Sequence, residues 1–207
     1  MAITVPPLLL ITDQQVCPDL NSWLPAALAG GATHLLLRAK GLEDAAYMAQ
    51  AEELKAILHA AGGSLIVHDR PHLVALLNAC GVHMADGQED LAIIRQRLGA
   101  ESWLSSSCHD LAGAKRAFAA GVDAVTLSPL FATASHPEAP ALGCATFAQW
   151  VAELPGPVFA LGGVTVENAP QAKTAGAAGV ALIRGVCAAE DPTAVCQSLR
   201  KLFRPPV

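Results

Sequence analysis

The stretch WLSSSCHD (103–110) places a hydroxyl, a thiol and an imidazole side by side at Ser107, Cys108 and His109. Covalent catalysis there would need Ser107 activated by a base that an acid orients, and the chain has no G-x-S-x-G elbow. No HExxH or comparable ligand pattern supports zinc. If strand alternation holds through this stretch, Ser105, Ser107 and His109 share one side, while Ser106 and Cys108 take the other. Proton transfer is the chemistry left. Histidine as a residue type titrates near neutrality, so His109 is the expected general acid or base, with Ser107 as its hydrogen-bonding neighbour.

Other chemical residues sit where apolar runs end. Arg38-Ala39-Lys40 puts two cations on one side of an extended segment, suited to a carboxylate or a phosphate. Asp69, with Asp86 or Asp90, supplies paired carboxylates of the kind that hold Mg²⁺ beside substrate phosphates, although Asp90 is also placed to cap a helix. Gly162-Gly163-Val164 precedes Thr165-Val166-Glu167-Asn168-Ala169, which reads as a helix opening. Glycine lets a ligand approach backbone N–H groups, and those groups favour an anion. Ile183-Arg184-Gly185 forms a second such turn. Thr133, Ser135 and His136 lie in LFATASHPEAPALG (130–143), the one long connection, whose length suggests a binding loop.

The chain that must position these groups has 207 residues, 53% of them hydrophobic and 15% charged, enough for one substantial core and too apolar for disorder. A net charge of −5 without any lysine- or arginine-rich run argues against nucleic acid. The start, MAITVPPLLLITD, has no basic n-region and stops at Asp13, so it reads as a first strand rather than a signal peptide. No run is long enough to span a membrane, and the expected location is cytoplasmic. Six scattered cysteines without a CxxC pair read as free thiols.

Eight short apolar runs are predicted as strands: 8–13, 34–39, 64–69, 81–85, 103–109, 124–129, 157–163 and 179–185. Segments with helical spacing alternate with them, for example Leu54, Ile57, Leu58, Ala61 and Leu73, Leu76, Leu77, Cys80. Strands apolar on both faces belong to a parallel sheet covered by helices, and eight strand–helix units make a single-domain α/β (β/α)8 TIM barrel over 1–207. The rival is an open doubly wound sheet, which lacks its GxGxxG after the first strand. In the barrel, the groups named above fall at the carboxyl ends of strands, and the turns after strands seven and eight form the customary phosphate site.

These motifs together resemble the thiamine phosphate synthase/TenI family over nearly the whole chain. The matching stretches are LLITD (9–13), LRAKG (37–41), HDRP (68–71), GVH with GQEDL (81–83 and 87–91), SCH (107–109), SPLFATASH (128–136) and ALGGVTVEN (160–168). The resemblance implies a thiazole phosphate ligand and one of two activities. A synthase joins hydroxymethylpyrimidine diphosphate to thiazole phosphate with loss of pyrophosphate, using Mg²⁺ at Asp69 and Asp90. A TenI-type tautomerase aromatises a thiazole carboxylate phosphate by proton transfer and needs no cofactor.

The family's synthase pattern has glutamine where Leu36 stands, asparagine where His68 stands and lysine where His136 stands, and Ala85-Asp86 are inserted before Gly87-Gln88-Glu89-Asp90. The losses fall on the pyrimidine diphosphate half, whereas Arg38, Lys40, Asp69, Ser107, His109, Thr133 and Gly163 remain. The tautomerase is therefore the expected activity, with the synthase and a non-catalytic ligand-binding or regulatory homologue as alternatives. A homo-oligomer is left open.

Overall fold

Leu8-Leu9-Leu10-Ile11 is apolar on both sides of the pleat and can hide both only between a helical layer and a filled barrel. The computed structural model describes residues 5–17, 19–87, 90–133 and 138–204. In it β1 (Leu8–Ile11), β2 (His34–Leu37), β3 (Ser64–His68), β4 (Gly81–Met84), β5 (Trp103–Cys108), β6 (Ala124–Leu127), β7 (Val158–Leu161) and β8 (Gly179–Leu182) pair in parallel, in chain order. β8 pairs back onto β1, which closes the (β/α)8 barrel and excludes the open sheet.

The outer layer is α1 (Leu20–Ala29), α2 (Asp44–Ala60), α3 (Leu91–Leu98), α4 (Leu111–Ala119), α5 (Gly143–Glu153), α6 (Ala169–Thr174), a short α7 (Arg184–Cys187) and α8 (Pro192–Phe203). None of the described helices is long and apolar enough to cross a membrane. All six cysteines are free.

Period-2 alternation divides the core. Leu8 and Leu10 pack with the helices, whereas Leu9 and Ile11 turn inward with Leu36, Ile66, Trp103, Ala124, Phe159 and Ala181. Trp103 and Phe159 meet edge-on with ring centroids 6.4 Å apart. Gly81 faces Trp103 in register, and a Cβ there would lie 1.9 Å from the Trp103 carbonyl oxygen. One rung higher the lining becomes mixed: His68, His83, Ser105, Ser107 and Thr126 face inward from β3 to β6, and the remaining strands stay apolar.

Every predicted strand exists but ends one or more residues early: Asp13, Arg38, Asp69, His109, Ser128, Gly162 and Arg184 leave the ladder to form the barrel mouth, whereas His68 and Ser107 stay inside β3 and β5. The predicted helix through 73–80 does not form. The connection there holds only a 3₁₀ turn at Pro71–Leu73, then turns ended by Asn78 at φ 47°. Leu73 and Leu77 are buried, while Leu76 is 67% exposed, so the apolar spacing was only half used.

Buried Tyr47 of α2 joins the ends of β2 and β3. Its hydroxyl donates to the Leu37 carbonyl (2.7 Å) and accepts from the His68 N–H (3.1 Å), and the Arg70 guanidinium lies 4.3 Å from its ring centroid. Tyr47→Phe strands both backbone groups. It should cost about 1 to 3 kcal/mol in chemical denaturation; an unchanged midpoint would show that this hydroxyl does not brace the mouth.

Candidate active site

A cavity of about 480 Å³ opens at the carboxyl ends of β5 to β8. Leu161, Ala181 and Ile183 give it an apolar floor, and His109, Thr133, the Gly162-Gly163 turn, Arg184 and Gly185 line its rim. Gly162 and Gly163 have φ of +92° and +65°, a region that glycine enters without strain. The Gly163 and Val164 amides donate to no acceptor among the described residues. Asn168 holds the turn, donating from Nδ2 to the Gly163 carbonyl (2.8 Å) and accepting the Thr165 N–H (2.8 Å). Residues 165–168 therefore form a turn instead of the expected helix opening, and α6 begins at Ala169.

Gly163 has a further reason to be glycine. A Cβ would lie 2.4 Å from the Ala132 carbonyl oxygen and 2.9 Å from Phe131, so it keeps the long β6–α5 loop seated as well as leaving room for a ligand.

His109 sits beyond the end of β5, exposed on the cavity rim. Its Nδ1 lies 2.9 Å from the Ser128 carbonyl oxygen. A carbonyl only accepts, so in the neutral ring Nδ1 carries the proton and Nε2 keeps its lone pair. Ser107 is not its neighbour. The Ser107 hydroxyl lies 2.9 Å from Nε2 of His83, whose Nδ1 lies 2.8 Å from the Ser105 hydroxyl. Cross-strand contact inside the barrel thus pairs Ser107 with a buried histidine of β4, whose pKa burial depresses to about 3.

The opposite side of the mouth carries charge. Arg38 pairs with Asp13 at 3.0 Å, and the Thr12 hydroxyl bridges the Arg38 backbone, accepting its N–H (2.8 Å) and donating to its carbonyl (3.1 Å). Asp69, at φ +51°, accepts the Ala85 N–H at 2.6 Å and pairs with His68 Nδ1 at 3.1 Å. Burial foremost, then the cations Arg38, Lys40 and Arg70, push the His68 pKa down to about 4. His68 is thus neutral near pH 7, with three cations around it.

Asp90 caps α3, accepting the Ala92 and Ile93 N–H groups, which is the helix-capping role its position allowed. Among the described residues no three His, Cys, Asp or Glu side chains form a metal cluster. Asp69 and Asp90 still have carboxylate lone pairs to offer, and Mg²⁺ commonly takes one or two protein carboxylates with substrate phosphates and water, so the donor set suits it. Ser135 and His136 lie outside the described residues, as do Gln88 and Glu89.

The sequence reading undervalued Ser105 and His83. Their signal was visible: both are polar residues on the inward side of otherwise apolar strands.

A closed parallel barrel with polar and glycine-turn residues gathered at the carboxyl ends of the strands is the architecture of the (β/α)8-barrel enzymes, whose sites characteristically lie at that mouth. The chain belongs to the thiamine monophosphate synthase family, whose model matches residues 8–186. A protein of Geobacter sulfurreducens is 35% identical over 96% of this chain and 94% of its own. Proteins named thiamine-phosphate synthase are 36% identical in Chromobacterium violaceum, over 86% of each chain, and in Thermus thermophilus, over 84% of each. Among solved structures, the thiamine phosphate pyrophosphorylase from Pyrococcus furiosus superposes with a TM-score of 0.84 at 25% identity, over 95% of this chain and 94% of that one.

The Gly163 geometry is directly testable. Gly163→Ala puts a Cβ at positive φ against the Ala132 carbonyl, and should cost at least about 1 kcal/mol of stability. Wild-type stability in thermal unfolding would mean that the loop is not seated on this turn.

Proposed function

We propose that this chain is a thiamine-phosphate synthase, joining a hydroxymethylpyrimidine diphosphate to a thiazole phosphate with release of pyrophosphate. The observation that carries this reading is a mouth with two anion-favouring sides: backbone donors and Arg184 after β7 and β8, and Arg38 and Lys40 after β2. Two phosphorylated substrates need two such sides. The names of the relatives favour the same reaction over the tautomerisation that the motif departures alone suggested.

In this reading the thiazole phosphate lies in the β5–β8 cavity, its phosphate on the Gly163 and Val164 amides and its ring on the apolar floor beside His109. Arg38 and Lys40 take the diphosphate, with Arg38 kept in place by Asp13. Asp69 and Asp90 would hold Mg²⁺, which when bound offsets the charge of the leaving diphosphate. The attacking thiazole nitrogen already has a lone pair and no proton to lose. The chain therefore needs to supply orientation and charge, and no base.

Tautomerisation remains the second reading because particular residues favour it. Leu36 turns inward, 1% exposed, and offers no hydrogen bond to a pyrimidine. His68 is neutral where the family pattern has an amide. The bare Nε2 of His109 could remove a ring proton from a thiazole carboxylate phosphate whose carboxylate sits at Arg38 and Lys40.

Parallel assays of thiamine phosphate formation and of tautomer conversion decide between them. Chelation should abolish the joining reaction, and added Mg²⁺ should restore it; tautomer conversion that persists in EDTA, with no thiamine phosphate formed, would reverse the assignment. His109→Asn gives an independent check. A lost general base lowers kcat by about 10² to 10⁴, whereas the joining reaction should lose less than about tenfold.

A further inference from the structure

The buried chain of polar groups inside β4 and β5 has a direction, and the direction follows from what each group can donate. It begins at Trp103, whose Nε1–H can only donate and does so to the Ser105 hydroxyl at 2.9 Å. Ser105 is 2% exposed and has one O–H. Its other partner among the described residues is Nδ1 of His83 at 2.8 Å. Had Nδ1 carried the proton, Ser105 would accept twice and its own O–H would be buried without an acceptor, an arrangement folded proteins avoid. The Ser105 O–H therefore donates to Nδ1.

The neutral ring must then carry its proton on Nε2 and donate it to the Ser107 hydroxyl at 2.9 Å. Ser107, accepting there, has its own O–H left to give, and no acceptor for it exists among the described residues. Ser107 is only half buried, on the inward side of β5 where the strand reaches the mouth. Thr126, opposite it in register, is 1% exposed, and its Oγ1 also lacks any partner among the described residues. Two neighbouring inward hydroxyls thus lack an acceptor among the described residues. The His68 ring lies 6.1 Å from the His83 ring, with three cations, Arg38, Lys40 and Arg70, and one carboxylate, Asp69, about it, so the charge on that side is mixed with cations in excess.

We propose that Trp103, Ser105 and His83 form a one-way hydrogen-bond chain that fixes the Ser107 hydroxyl as a donor into the barrel mouth, where it meets an anionic oxygen of the substrate. Ser107 is then a recognition group and not a nucleophile, since its oxygen accepts from His83 and no base takes its proton. His83, Ser105 and Trp103 are positioning residues that never touch the ligand. The ligand end of the chain rests on the reading above that phosphorylated substrates occupy the mouth; the direction of the chain does not.

The test has two arms. In ¹⁵N-histidine-labelled, substrate-free protein at neutral pH, long-range ¹H–¹⁵N correlation should show His83 protonated on Nε2 and bare on Nδ1, and Ser105→Ala should blur that preference. In titrations of inorganic diphosphate and of thiazole phosphate, Ser107→Ala should weaken one of them by about tenfold, the scale of one hydrogen bond to a charged group. Ser105→Ala should weaken the same probe by a smaller factor although it lies outside ligand contact, and Ser107→Thr should retain the wild-type affinity. The probe affected identifies which substrate supplies the oxygen. A proton on Nδ1 of His83 overturns the chain, and unchanged affinity for both probes in Ser107→Ala overturns its ligand end. If the wild type binds neither probe, the functional reading and that ligand end fail together, while the tautomer still decides the chain.

Discussion

A closed barrel of eight short strands has an interior that water cannot fill and that every inward side chain must share. Where Leu9, Leu36, Ile66, Trp103 and Phe159 meet, the interior is a solid apolar plug, and Gly81 and Gly179 face Trp103 and Phe159 in register. One rung higher the same requirement becomes a condition on polarity, because His83 and Ser105 are sealed in and satisfy each other, and buried His68 turns to Asp69. The arrangement of the mouth follows. Ser107 is held by His83 from below, His68 is braced by Asp69 and by the Tyr47 bridge, and solvent or a ligand meets only the last inward residues of the strands and the groups beyond them.

This constraint separates two kinds of polar residue that look alike in sequence. His83 and His109 both lie at strands, yet one is 1% exposed with both ring nitrogens engaged by hydroxyls, and the other sits on the cavity rim with one nitrogen unspent among the described residues. The difference is depth: His83 lies within the ladder and braces the wall, whereas His109 lies one position past the end of β5 and faces the cavity.

Much of the fold was legible because its signal is local: an apolar run is a strand wherever it lies, and eight of them alternating with helical segments permit few closures. What failed was equally local in cause. Leu73, Leu76, Leu77 and Cys80 have helical spacing, but spacing does not show that the connection between β3 and β4 holds no more than a 3₁₀ turn. In the site, the glycine turn after β7 and Arg184 after β8 were readable from position alone. The pairing of Arg38 with Asp13 and of Ser107 with His83 was not, because partners on neighbouring strands depend on the stagger of the closed sheet, which no single strand encodes.

The central claim is that the turns after β7 and β8 form the anion-binding end of this mouth, over an apolar floor that takes a heterocycle. The most direct measurement is a crystal structure of the protein with thiazole phosphate bound. The account predicts the phosphate within hydrogen-bonding distance of the Gly163 and Val164 amides, and the ring against Leu161 and Ile183 beside His109. A phosphate held instead by Arg38 and Lys40, with the β5–β8 cavity empty, would contradict it.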